Sequence, residues 1–212
     1  MSTNKWVQIP PPRTIARQIP VVVLGLILFG VGIAMLLLGD LGAAPWDVFH
    51  SGLEDLTGIS VGTIILIVGA VMIVGFPLVG ERLGLGTVLN VLVIGPGVDI
   101  CLALFDPPSA MWVRVLLMLG GPLVIAIGSG FYIGGGLGPG PRDGLMTGIA
   151  KRGVAIWKIR TIIEIVVVII GIGLGGPIGI GTVWFTLSIG PAVQFFLKHL
   201  TFLPSGFDPE SA

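Results

Sequence analysis

Charge is what this sequence has least of. Only 10% of its 212 residues are Asp, Glu, Lys or Arg, the formal net charge is zero, and no basic run occurs. Such a chain offers little to a phosphate backbone, which excludes nucleic acid as a partner. The single cysteine, Cys101, can form no internal disulfide. The two histidines, His50 and His199, are expected at opposite faces of the membrane, so no metal cluster is expected. His-Glu-x-x-His, Gly-x-Ser-x-Gly and Gly-x-Gly-Asp are all missing, which argues against an enzyme and against any cofactor. A phosphate-binding Gly-x4-Gly-Lys-Ser/Thr loop is missing too, so any energy source would be an ion gradient or another protein.

What the chain does have is apolar length. Hydrophobic residues make up 54%, the mean hydropathy is +1.06, and there are 35 glycines. A core of this size could not hide so much apolar surface, which places the chain in a lipid bilayer. Crossing the hydrocarbon takes about twenty apolar residues per helix. Six stretches qualify: Pro20–Gly39, Ser60–Gly80, Gly84–Phe105, Met111–Gly135, Ile156–Gly175 and Ile180–Leu200. The first is too long for a secretory leader, and cleavage there would fall before Pro45. The abundant glycines fit helices that pack closely without a hydrophobic drive to associate.

Orientation follows from the basic residues, which favour the cytoplasmic side. With the N-terminus inside, Lys5, Arg13, Arg17, Arg82, Arg142, Lys151, Arg152, Lys158, Arg160 and Lys198 fall at cytoplasmic ends, and Arg114 alone falls outside. Both termini are therefore expected in the cytoplasm.

The few polar residues are spent on a repeated motif. "GAAPWDVFHSG" at residues 42–52 returns as "GPGPRDGLMTG" at residues 138–148, matching at Gly42/Gly138, Pro45/Pro141, Asp47/Asp143, Ser51/Thr147 and Gly52/Gly148. A second match follows at nearly the same offset: Gly84-Leu85-Gly86-Thr87 before Gly95-Pro96, and Gly179-Ile180-Gly181-Thr182 before Gly190-Pro191. The chain thus divides into a cytoplasmic tail 1–19, a first repeat 20–105, a second repeat 106–200 and a cytoplasmic tail 201–212. Each repeat holds three spans, an odd number, so the second must sit inverted relative to the first. Pro followed two residues on by Asp is a helix-start signature. The segments 44–57 and 140–153 are each too short and polar to cross, and read as re-entrant or interfacial helices, one from each face. The expected fold is an all-α integral membrane protein of six transmembrane helices plus two short helices, arranged as two inverted repeats.

Candidate pathway residues follow from the same logic. Asp47 and Asp143 either cap their helices or set the charge of a polar site where two helix N-termini converge. Asp99, inside an apolar stretch, is costly in hydrocarbon and aligns with Gln194; it either lines a cavity or lies within reach of headgroups. Asn90, Thr87 and Thr182 could line that cavity or bond helix to helix. Arg142 reads as an anion ligand or a cytoplasmic anchor, and Arg160 with Glu164 as a local ion pair. Pro45, Pro141, Gly95, Pro96, Gly190 and Pro191 mark helix starts and hinges. Trp6, Trp46, Trp112, Trp157 and Trp184 read as interfacial anchors.

"LGAAPWDVFHSGL", "LGPGPRDGLMTGIAKR" and the two "GxGT…GP" segments closely resemble the YczE/YyaS/YitT group of bacterial integral membrane proteins, its YczE-like branch above all. The resemblance implies a bacterial inner-membrane protein and brings no site residues with it. From the residues themselves, the expected function is a secondary carrier for a small-molecule solute, open to proton coupling and to assembly as a homo-oligomer. A channel-like facilitator and a non-transporting accessory or scaffold protein are the alternatives. Carboxylates at the helix starts disfavour a pore for neutral solutes.

Overall fold

The eight expected segments become eight helices in a computed structural model that describes residues 7–8 and 12–200. They are α1 (Pro12–Gly39), α2 (Pro45–Thr57), α3 (Val61–Val79), α4 (Leu85–Leu104), α5 (Met111–Gly134), α6 (Pro141–Ala150), α7 (Ile156–Gly173) and α8 (Ile180–Leu200). Five of these, α1, α3, α4, α5 and α8, are long and apolar enough to cross a membrane. The segment expected as a further span forms α7, whose 18 residues include Lys158, Arg160 and Glu164. Helix α1 starts at Pro12, so the expected tail 1–19 is helical over its last part; its first residues and the expected tail 201–212 lie outside the described residues, apart from Val7–Gln8. Those two residues pair in parallel with Leu83–Gly84, a two-residue ladder that the all-helical expectation did not include.

The centre is a seam between α1 and α5. Gly25, Gly32 and Gly39, spaced seven apart on α1, face α5, and a methyl group at Gly25 would stand 2.6 Å from the Gly128 carbonyl oxygen. A methyl at Gly32 would stand 2.8 Å from that of Gly121. Small residues therefore let the two backbones touch, which is the main attraction available to helices in lipid. Around this seam the buried core gathers Val22, Leu26, Ile33, Leu36, Ile94, Val98, Ile125 and Tyr132. Helix α4 lies against α1, and α8 against α5.

The non-helical strands that enter α2 and α6 are tied to the far half of the chain. Leu137 O accepts a hydrogen bond from Gly86 N at 2.7 Å, and Leu41 O accepts one from Gly181 N at 2.7 Å. Each strand thus pairs with the start of a long helix in the other half, α4 or α8. Gly42 and Gly138, which follow the two carbonyls, have φ of 112° and 115°. Side chains there would be strained and would collide: a Cβ at Gly42 would lie 2.6 Å from Gly179 N, and one at Gly138 would lie 2.8 Å from Gly84 Cα.

The two halves differ in one respect. Helices α3 and α4 pack together where Gly62 and Gly95 meet backbone to backbone, and a Cβ at either glycine would overlap the other's carbonyl oxygen. Helices α7 and α8 do not pack along their lengths, and a Cβ at Gly190, which corresponds to Gly95, would meet open space.

Gly42→Ala and Gly138→Ala should each cost about 1–3 kcal/mol through backbone strain, read as a lower melting temperature in detergent. Gly75→Ala, whose Cβ would meet nothing, should keep or raise it.

Candidate functional site

Proline at the first position fixes where α2 and α6 begin, because its ring pre-sets the helical φ and it lacks an N–H that would go unpaired. Both starts are buried, with Pro45, Trp46 and Asp47 on α2 and Pro141 on α6. The opposite ends face outward and carry opposite charge: Glu54 and Asp55 close α2, while Lys151 and Arg152 follow α6. Glu54 accepts from Val61 N at 3.1 Å at the start of α3. Lys151 lies 3.3 Å from Glu81, and Arg152 donates to Leu78 O at 2.8 Å, both at the other end of α3. The length of α3 therefore separates the two outer ends, and the two starts meet between them.

Their meeting point is polar. Arg142 reaches across from α6 to within 3.9 Å of Asp47 Oδ1 on α2, and its guanidinium carbon lies 5.0 Å from the centroid of the Trp46 ring. The same Asp47 oxygen lies 3.4 Å from Nδ1 of His50, one helical turn further along α2. Asp47 and His50 side chains are each 1% exposed. Beside them is a cavity of about 180 Å³, lined on its polar side by His50, Asn90, Tyr132, Arg142, Asp143 and the ion pair of Arg160 with Glu164, and on its other walls by apolar side chains including Phe29, Ile65, Ile94, Ile125 and Val193. Arg160 Nε donates to Glu164 Oε1 at 2.9 Å, as the spacing predicts.

Three groups on this wall have unused hydrogen-bonding capacity. Nε2 of His50 and the Tyr132 hydroxyl are buried without a hydrogen bond among the described residues. The Arg142 guanidinium carries five N–H donors, and its carboxylate neighbour at 3.9 Å is beyond hydrogen-bond reach. Polar groups left unpaired in a protein interior need an explanation, and a ligand is one.

Of the expected pathway residues, Asn90, Arg142 and Asp143 line this cavity, and Asp47 touches it through Arg142 and His50. The capping account of Asp47 gains no support: it stands at the third helical position, the cap residue Ala44 makes no side-chain bond, and the Asp47 side chain is engaged by His50 and Arg142. Pro45, Pro141 and Gly190 also line the cavity.

The others lie elsewhere. Asp99 accepts from Ser60 Oγ at 2.6 Å and from Gly62 N at 2.8 Å, capping the start of α3 from a neighbouring helix. Hydropathy placed it inside a span but could not show that the next helix begins beside it. Thr87 Oγ1 accepts from Gly84 N at 3.3 Å and donates to Pro139 O at 2.7 Å; Thr182 Oγ1 accepts from Gly179 N at 3.3 Å. Both threonines secure helix starts. Gln194, Pro96 and Pro191 are exposed on the outer surface, and Gly95 is spent on Gly62. Trp46 is 9% exposed and lies under Arg142, so its reading as an interfacial anchor is corrected, while Trp112 is 68% exposed. Trp6 lies outside the described residues. The sequence reading missed His50 and Tyr132. The i,i+3 spacing of Asp47 and His50 on a helix start was the available signal for the first.

An all-helical chain with five helices fit to cross a bilayer, closed around a small buried polar site, is an integral membrane protein. Residues 16–198 match the family of unknown function DUF6198, and the chain belongs to that family. It is 40% identical to an uncharacterized protein of Haemophilus influenzae (strain ATCC 51907 / DSM 11121 / KW20 / Rd) over 89% of this chain and 87% of that one. It is 34% identical to the uncharacterized membrane protein YczE of Bacillus subtilis (strain 168), over 82% and 83% of the two chains, and 28% identical to the uncharacterized protein YyaS of the same strain, over 79% and 85%. These relatives place it in the YczE-like group. No solved structure matches it.

Asp99→Ala should destabilise the protein by about 1–3 kcal/mol by removing an acceptor from two donors. Asp99→Asn, which keeps an acceptor, should cost less. Tyr132→Phe gives up no hydrogen bond and should leave the melting temperature unchanged or higher. Thermal unfolding in detergent reads all three.

Proposed function

We propose that the protein is a small-solute carrier of the bacterial inner membrane, with its solute site in the cavity between the starts of α2 and α6. The observation that carries the reading is the convergence of two non-crossing helix starts, one from each half of the chain, on a buried site whose donors are unused. Short helices that end at the middle of a membrane present unpaired N–H groups and the positive ends of their dipoles there. A scaffold has no need of such a site.

In this reading α7 is the sixth span, its charged first half facing the cavity rather than lipid, and the two halves are inverted repeats. The matched hydrogen bonds of Leu41 to Gly181 and Leu137 to Gly86 support that relation. With Arg142 and Arg160 set aside because they line the cavity, eight basic residues against one support an orientation with both termini in the cytoplasm, Glu54 and Asp55 outside, and Lys151 and Arg152 inside. Packing of α3 on α4 without the matching contact of α7 on α8 favours a carrier over an open pore, because a carrier rests in a state that breaks the symmetry of its halves. Gly190 would then be the place where α7 and α8 close when the state reverses.

Two measurements test this. In a Cys101→Ser background, impermeant thiol reagents should reach Leu56→Cys from outside and Arg152→Cys only from inside; labelling of both from one side would end the inverted-repeat reading. In proteoliposomes supplied with small organic acids, amino acids and amines, at least one solute should accumulate. Gly190→Ala should slow that flux about tenfold while the melting temperature stays near wild type, since nothing fills the space around Gly190 in the present state. A protein that moves none of these solutes would leave the cavity without a transport role.

A further inference from the structure

The carrier reading leaves the chemistry of the solute open, and the site itself limits it. Two of its carboxylates are already engaged: Glu164 is bonded to Arg160 at 2.9 Å and Asp47 is shared by His50 and Arg142, while Asp143 lies in the first turn of α6 at the positive end of the helix dipole. The cation is not committed. Arg142 lines the cavity with its side chain 25% exposed, lies over the Trp46 ring, and has no acceptor within hydrogen-bond distance among the described residues. A guanidinium held over an indole with its N–H groups free suits a planar two-oxygen acceptor. The apolar walls opposite suit a carbon skeleton better than an inorganic oxyanion, whose hydration they could not replace.

The second feature is His50. A carboxylate oxygen accepts, so the contact with Asp47 assigns the ring hydrogen to Nδ1 and the lone pair to Nε2. That lone pair is buried and has no hydrogen-bond partner among the described residues, on a side chain that lines the cavity. We propose that the cavity binds a small organic carboxylate at Arg142 and takes up one proton on Nε2 of His50 as it does so, the two events being linked through Asp47. This rests on the carrier reading only for its purpose; the binding itself does not require transport.

The linkage is electrostatic. Asp47 faces two claimants, the Arg142 cation at 3.9 Å and the His50 ring at 3.4 Å. A carboxylate on Arg142 cancels its charge, which removes repulsion from an imidazolium and leaves Asp47 to stabilise it. The proton comes from water and stays on Nε2. Burial pushes the His50 ring below its ordinary value; the Asp47 hydrogen bond opposes this and the Arg142 charge adds to it. Helix α3 brings no titratable side chain to His50. Helix α7 brings Arg160 and Glu164 with Lys158 at its exposed start, and α6 brings Arg142 and Asp143. The ligand thus raises the affinity of His50 for its proton, and by reciprocity low pH favours the ligand.

The test is equilibrium binding to the purified full chain in detergent, with acetate, phenylacetate and benzoate as probes and benzamide, benzylamine and sulfate as controls. The carboxylates should bind and raise the melting temperature, benzoate and phenylacetate more than acetate, while the controls should not. Benzoate affinity should fall by about tenfold per pH unit as pH rises between the His50 values of the empty and occupied states, the slope of one linked proton. His50→Gln should still bind benzoate with that slope gone, Asp143→Asn should keep the slope, and Arg142→Gln should lose binding. Failure of all three carboxylates, preferential binding of benzylamine or sulfate, or a slope that survives His50→Gln would overturn the proposal. Carboxylate binding without flux in proteoliposomes would instead remove the carrier reading and leave this one, whereas flux of an amine without carboxylate binding would do the reverse.

Discussion

A backbone that leaves the helical path inside an apolar slab must find its hydrogen-bond partners within the protein, because hydrocarbon supplies none. That constraint organises this molecule. The strands before α2 and α6 are irregular, and each gives a carbonyl to a glycine N–H at the start of a long helix in the opposite half, Leu41 to Gly181 and Leu137 to Gly86. Only glycine fits at the contacts, at Gly42 against Gly179 and at Gly138 against Gly84. Thr182 and Thr87 then fix those helix starts by accepting from Gly179 and Gly84. These bonds fix where α2 and α6 begin, and those starts form the site.

Once the starts are held there, electrostatics follows with little freedom. Two positive helix ends invite acidic side chains into their first turns, and Asp47 and Asp143 occupy those positions. Arg142 then joins the two halves, resting on Trp46 and facing Asp47. Both contacts keep it near the centre without consuming its donors. A guanidinium fully bonded to two carboxylates would be a staple; one held at 3.9 Å by charge and at 5.0 Å by an indole remains able to bind something else.

Legibility in the sequence divided along physical lines. The apolar stretches and the two Pro-x-Asp starts located the helices closely: Met111 and Ile180 open α5 and α8 as expected, and Pro45 and Pro141 open the short ones. Duplication of Gly42 and Gly138 pointed to the places where backbone meets backbone. What hydropathy could not provide was the direction of a side chain. Asp99 and Gln194 align in the repeat, yet one caps α3 and the other is exposed, because alignment preserves position along a helix and not its neighbours. Trp46 and Trp112 are the same residue type near helix ends, and only the fold distinguishes a floor for Arg142 from a surface side chain. Tyr132, the chain's one tyrosine, sits in an apolar run that gives no sign of a cavity beside it.

The difference between the halves has its origin in α7. Its counterpart α3 carries no charged side chain, and where Gly62 presses against Gly95 the neighbouring Asp99 carboxylate already has hydrogen bonds from Gly62 N and Ser60 Oγ. Helix α7 carries Arg160 and Glu164 toward the cavity, bonded to each other and still partly exposed. Sealing α7 against the apolar face of α8 would strip water from that pair, and the mutual attraction of two buried charges repays such a loss only when further hydrogen bonds replace the water. Around Gly190, on the facing wall, a side chain would meet nothing. The ion pair of Arg160 with Glu164 thus faces the space between α7 and α8, where polar partners can still reach it.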